Sequence, residues 1–165
     1  MTVIRPAVPA DIPAIMAVWN PLIRDTTVTF SSEEKTAEGL AAMIAERRAA
    51  GREFLVAEDG EILGLCSYAQ FRAGNGYART MEHTIILAPQ AWGRGIGRAL
   101  VTAIEAHAAA GGAHVMVAGV TGENAAGLAF HRALGYAEVG RMPATGFKFG
   151  RWLDLVLMQK YLSPP

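Results

Sequence analysis

Apolar positions recur along this chain with two periods, and each switch between them marks an element. Ile12, Ile15, Met16, Trp19 and Ile23 fall at helical spacing. They follow Pro9-Ala10-Asp11, where Asp11 can cap a helix and Pro13 suits its first turn. Val3-Ile4-Arg5 reads as a short first strand. The β-branched and polar stretch from Thr26 to Ser32 predicts a loop. A second helix is expected from Ser32-Glu33-Glu34-Lys35 through Leu40, Met43 and Ile44 to Gly51. After Gly51 the period shortens. Phe54 to Ala57 and Ile62 to Gln70, around Asp59-Gly60, predict a hairpin. Tyr77 to Leu87 predicts a further long strand, and a helix follows from about Arg98 to Ala110, stopping at Gly111-Gly112. His114 to Ala118 reads as a buried strand, and Glu123 to Leu134 as a helix closed by Gly135. Two last strands, about Tyr136 to Met142 and Trp152 to Tyr161, flank a loop from Gly146 to Gly150. Strands and helices alternate in the middle, with hairpins at both ends. That order predicts an α/β fold: a mixed sheet with helices on both faces.

Composition narrows the function. The 165 residues suit a single domain spanning 1–165. Their 52% hydrophobic and 18% charged fractions describe a packed chain rather than a disordered one. Formal net charge is zero, so nothing draws the whole molecule to nucleic acid or an anionic membrane. No apolar run approaches the roughly 20 residues of a membrane span. The first residues carry no basic leader with an apolar run behind it. Cys66 is the single cysteine, so no internal disulfide forms; it reads as a small core residue. A cytoplasmic protein is expected. Near-zero charge also permits a homo-oligomer.

The chemistry concentrates between Thr84 and Ala106. Thr84-Ile85-Ile86-Leu87 leads into Ala88-Pro89-Gln90-Ala91-Trp92-Gly93-Arg94-Gly95-Ile96-Gly97-Arg98, and a helical run follows. Glycines at alternate positions free the backbone to turn several N–H groups toward one point. A helix start adds unpaired N–H groups and partial positive charge, so the stretch has the makings of a phosphate cradle. A tight turn without a ligand remains the alternative on this stretch alone. A P-loop does not fit, because Gly97 precedes Arg98-Ala99 where Lys-Ser/Thr is needed. A dinucleotide fingerprint fails too: counting from Gly93 or Gly95, its last small position holds Arg98 or Leu100.

Gly93-Arg94-Gly95-Ile96-Gly97 after a strand and Pro89 resembles the acyl-CoA loop of the GNAT acetyltransferase superfamily. Met81-Glu82-His83-Thr84-Ile85, Asn124-Ala125-Ala126, His131-Arg132-Ala133-Leu134-Gly135-Tyr136, Gly146 to Trp152 and Thr26-Thr27-Val28-Thr29-Phe30 are similar to its phosphinothricin and methionine sulfoximine N-acetyltransferase branch. Trp92 departs from the Gln or Arg usual at its place; a loop acting through main-chain amides tolerates that. The resemblance implies a sheet that splays open beside the cradle, acetyl-CoA as co-substrate, and direct attack by an amine. It implies Leu87 N–H on the thioester carbonyl and Ile86 and Ala88 along the pantetheine arm. It further implies that Trp92, Gly93, Arg94, Gly95, Ile96, Gly97 and Arg98 form the pyrophosphate loop and that Asn124 touches the cofactor, unless Asn124 merely caps a helix. Glu82 is the expected general base, against a surface carboxylate or an ion pair with Arg79. His131 stands where the superfamily commonly has the Tyr that protonates the thiolate. An imidazole there can give or take a proton near neutral pH, or simply pack. Tyr136 is expected in the core. His83, His107 and His114 lack metal-ligand spacing, so no metal is expected.

Deprotonation energy bears on the substrate. A lysine-like amine, pKa about 10.4, costs roughly 4.6 kcal/mol to deprotonate at pH 7, and an α-amine near 7.8 only about 1.1. The cheaper deprotonation suits one carboxylate base and favours a small amino acid or analogue. Its carboxylate would need a cation, with Arg72, Arg79, Lys148 and Arg151 as candidates, Arg72 first. Phe30, Tyr77 and Phe149 are candidates to wall its side chain, or belong to the core. Lys148 to Trp152 could instead serve a homodimer contact. Acetylation of a peptide N-terminus or another amine is the rival activity. A non-catalytic acyl-CoA sensor is the rival class.

Overall fold

The computed structural model describes residues 1–164. Its elements are β1 (Val3–Pro6), α1 (Ile12–Asp25), α2 (Ala37–Ala49), β2 (Phe54–Glu58), β3 (Ile62–Gln70), β4 (Thr80–Leu87), α3 (Ile96–Ala110), β5 (Val115–Thr121), α4 (Ala125–Ala133), β6 (Ala137–Lys148) and β7 (Arg151–Tyr161). One sheet of seven strands runs in the order β1-β2-β3-β4-β5-β7-β6. Every neighbour is antiparallel except β4 and β5. That parallel pair holds only over Thr80–Val115, Met81–Met116 and Glu82–Val117, and beyond Glu82 the two strands part. The fork is the feature on which the site depends.

Each face has its own core, set by alternation along the strands. Phe54, Val56, Leu65 and Ile86 pack under Ile15, Trp19 and Ile23 of α1 and Leu40 and Ile44 of α2. Leu55, Tyr68, Met81, Met116 and Ala118 pack with Leu100, Val101 and Ile104 of α3 and Leu128 of α4. Cys66 is fully buried on the second face, where burial pushes its thiol well above the ordinary range. Tyr136 is core as well, its hydroxyl donating to Glu105, which also takes Lys160.

Three boundaries differ from the sequence reading. α2 begins at Ala37, capped by Thr36 Oγ1, rather than at Ser32. Asn20 holds Lys35 extended by bonding both its N–H and its C=O, which stops the helix nucleating earlier. β4 begins at Thr80, after a single helical turn over Asn75–Tyr77. Gly146 to Lys148 belong to β6, so the expected loop shrinks to Phe149-Gly150. Both have positive φ, 54° and 73°, as a two-residue hairpin turn of mirror-image type requires.

Candidate active site

The fork between β4 and β5 opens into a cavity of about 1010 Å³ that reaches both faces of the sheet. Trp19, Leu22, Phe30 and Met43 wall it on the α1 and α2 side; Asn124, Phe130 and His131 wall it on the other. At one end lies the turn before α3. Gly93 and Gly95 have φ of 73° and 76°, and an added Cβ at either would meet nothing within 4 Å. Glycine is required there by backbone conformation, not by crowding. The N–H groups of Gly93, Gly95, Ile96, Gly97 and Arg98 donate to no acceptor among the described residues, whereas those of Trp92 and Arg94 turn back onto Pro89 and Ala91. A row of unengaged donors at a helix start fits a pyrophosphate. Trp92, Gly93, Gly95, Gly97 and Arg98 line the cavity. Arg94 does not; it pairs with Asp59 at 2.8 Å. Ile96 is buried in the core.

Strand register decides which β4 groups face the fork. Phe71 donates to Thr80 O and Ala88 donates to Leu63 O, so even-numbered residues bond β3 and odd-numbered ones turn the other way. Leu87 and Ile85 therefore offer their N–H and C=O to the opening. Of Ile86 and Ala88, expected beside a pantetheine arm, Ile86 lines the cavity with Ile85 and Leu87, and Ala88 does not. Ile86 bonds across to Leu65, and Ala88 is closed off by Leu63 and Ala91. Asn124 lines the cavity and is also the α4 cap: its side-chain oxygen accepts from Gly127 N–H, leaving Nδ2 as a donor.

Glu82 lies on the cavity floor, facing α1 and α2. Its carboxylate has no salt-bridge or hydrogen-bond partner among the described residues, Arg79 included, and burial raises its pKa. Across β5, a Cβ at Gly119 would come within 3.1 Å of Glu82 Oε2, so glycine there makes room for the carboxylate.

His83, one residue on, points to the opposite face and meets His131. His131 Nδ1 lies 2.7 Å from Gly127 O, which only accepts, so Nδ1 carries the proton. Its Nε2 is then a lone pair, 3.3 Å from His83 Nε2, and that nitrogen must be the donor. His83 Nδ1 is left buried without a partner. Burial depresses both imidazoles, His83 to about 3, so the stacked pair is neutral. The sequence reading passed over His83 except as a metal ligand. Its place beside Glu82 on a strand was the available signal, since neighbours on a strand face opposite ways.

The expected substrate residues scatter. Phe30 lines the cavity, its ring against Gly146, where a Cβ would come within 2.5 Å. Lys148 is corrected from a substrate cation to a brace: its buried ammonium donates to Thr26 O and Thr29 O, fixing the loop that carries Phe30. Arg151 makes a two-pronged pair with Glu123. Arg72 stacks on Tyr77, and neither these two nor Arg79 lines the cavity. Phe149 sits exposed in the β6–β7 turn. The cations that do face the cavity are Lys35, Arg47 and Arg98.

Comparison with known proteins agrees with this geometry. The model of the Acetyltransferase (GNAT) family matches residues 17–136. An L-methionine sulfoximine/L-methionine sulfone acetyltransferase of Pseudomonas paraeruginosa is 40% identical over 98% of this chain and 95% of its own. A phosphinothricin N-acetyltransferase of Alcaligenes faecalis is 36% identical over 93% of this chain and 79% of its own. An acetyltransferase of Salmonella typhimurium, solved with its cofactor acetyl-CoA, superposes with a TM-score of 0.95 at 34% identity, covering 100% of this chain and 96% of that one.

Proposed function

The chain belongs to the acetyltransferase (GNAT) family, and from that premise we propose that it transfers acetyl from acetyl-CoA to the α-amino group of a small amino acid or analogue such as methionine sulfoximine, methionine sulfone or phosphinothricin. The observation that carries the reading is the unpaired Glu82 carboxylate inside a fork whose other end is a row of free amides. Bound acetyl-CoA supplies the activated acyl group. The free amides at the start of α3 hold its pyrophosphate, Asn124 on the cavity wall offers Nδ2 as a further donor, and Ile85 and Leu87 offer their main chain along the arm. Leu87 N–H is a fixed donor for the acyl oxygen, a kind of contact that contributes about 3 kcal/mol as charge builds.

Glu82 takes the proton from the substrate ammonium, directly or through water. Burial raises its pKa, which makes it a stronger base than an exposed carboxylate. His131 closes the cavity on the α4 side. Its Nδ1–H is held by Gly127 and its Nε2 accepts from His83, which fixes the neutral ring in place. Trp19, Leu22, Phe30 and Met43 give the side chain of an amino acid an apolar wall. The exposed strip of Met142, Phe147 and Trp152 along β6 and β7 supports a homodimer.

A panel of amines scored by thiol release tests the assignment. Amino acids of the methionine sulfone and phosphinothricin kind are expected at the top. Peptides or simple amines in that place would overturn it.

A further inference from the structure

We infer that Arg47 holds the carboxylate of the amine substrate. The inference rests on the amino-acid acetyltransferase reading above. Arg47 lies in the last turns of α2 and lines the cavity on the wall facing Glu82. Its Nε is buried and has no acceptor among the described residues, although such an orphaned donor is costly. Most arginines of the chain, among them Arg5, Arg24, Arg48, Arg94 and Arg141, sit within salt-bridge distance of a carboxylate. Arg47 does not. Lys35, the neighbouring cation, already has its ammonium 4.6 Å over the ring of Trp19. Arg98, at the cradle end, reaches the Ala133 carbonyl.

The charges on this side of the fork therefore suit a zwitterion. Glu82 is the one carboxylate lining the cavity among the described residues, and Arg47 offers a planar fork of donors matched to a carboxylate. An α-amino acid fits them with its ammonium toward Glu82 and its carboxylate toward Arg47. Trp19, Leu22, Phe30 and Met43 remain for its side chain. No covalent step is involved; the guanidinium binds and orients.

The test compares an amino acid with its own primary amide, which keeps the amine and side chain but loses the charge. Arg47→Gln is expected to lower kcat/KM for the acid roughly 10- to 100-fold, mostly through KM, the range of one charge-assisted contact. The amide should change less than about two-fold. Arg47→Lys should fall between, and the acetyl-CoA Kd by calorimetry should stay constant, showing an intact fold. If Arg47→Gln does not fold, Arg47→Lys carries the same comparison. Equal losses for acid and amide, or no loss for either, would overturn the assignment. A wild-type enzyme that acetylates no α-amino acid at all would instead overturn the parent reading.

Discussion

The two ends of the fork are built from different material. The end at α3 is built chiefly from main-chain N–H groups held by two positive-φ glycines, and Arg94 of that turn points away to Asp59. The amine end consists of side chains delivered by separate elements: Glu82 from β4, Arg47 from α2, Phe30 from the loop that Lys148 braces. A main-chain site tolerates sequence change so long as backbone angles survive. A side-chain site changes its ligand with each substitution. On the proposed reading, the shared acetyl donor belongs at the first end and the discriminating contacts at the second.

Glu82→Gln probes the side-chain end with the largest expected effect. Loss of a general base lowers turnover by roughly 10²- to 10⁴-fold. Affinity for acetyl-CoA should not move, because the free amides are untouched; calorimetry beside steady-state rates checks both. In the wild type, kcat/KM should fall in acid with a midpoint above the ordinary carboxylate value, because burial raises Glu82. Turnover surviving in Glu82→Gln would erase the distinction between the ends.

Gly95→Val probes the main-chain end, and a smaller effect is expected. An added Cβ meets nothing within 4 Å, but φ of 76° costs an L-residue about 1–2 kcal/mol. If that strain is relieved by distorting the turn, acetyl-CoA binding weakens roughly ten-fold. kcat at saturation should stay close to wild type. A variant with normal acetyl-CoA affinity would show that the turn's amides are not the anchor.

The same contrast explains what could be read from the chain alone. The glycine turn, its strand and its helix are contiguous, so local spacing revealed the cradle. Glu82 was visible because the same strand enters the cradle. Strand alternation would also have exposed His83 and the Ile85–Leu87 pair, had it been followed along β4. Arg47 carried no local signal: on α2 it resembles the adjacent Arg48, and only packing puts one against Glu53 and the other at the cavity. Lys148 misled for the same reason, since its partners Thr26 and Thr29 lie far away in sequence.

The histidine pair sits between the two ends, and removing its inner member should matter least at neutral pH. His83→Phe keeps a ring of similar size against His131 and Tyr136 but removes the donor to His131 Nε2. Turnover at pH 7 should fall only a few-fold if His131 keeps its bond to Gly127. The larger consequence lies in acid. Folded His83 has its pKa depressed to about 3 by burial, below the ordinary 6.5, so the unfolded chain binds more protons between those values. Wild-type stability should therefore be full above about pH 6.5 and decline toward pH 3, by on the order of 4 kcal/mol if the fold persists that far. In His83→Phe that contribution vanishes, and the slope of unfolding free energy against pH should be shallower across the window, with His131 supplying the remainder. Urea unfolding at a series of pH values measures it. Parallel curves for the two proteins would mean that His83 titrates alike in the folded and unfolded chains and is not held neutral by burial.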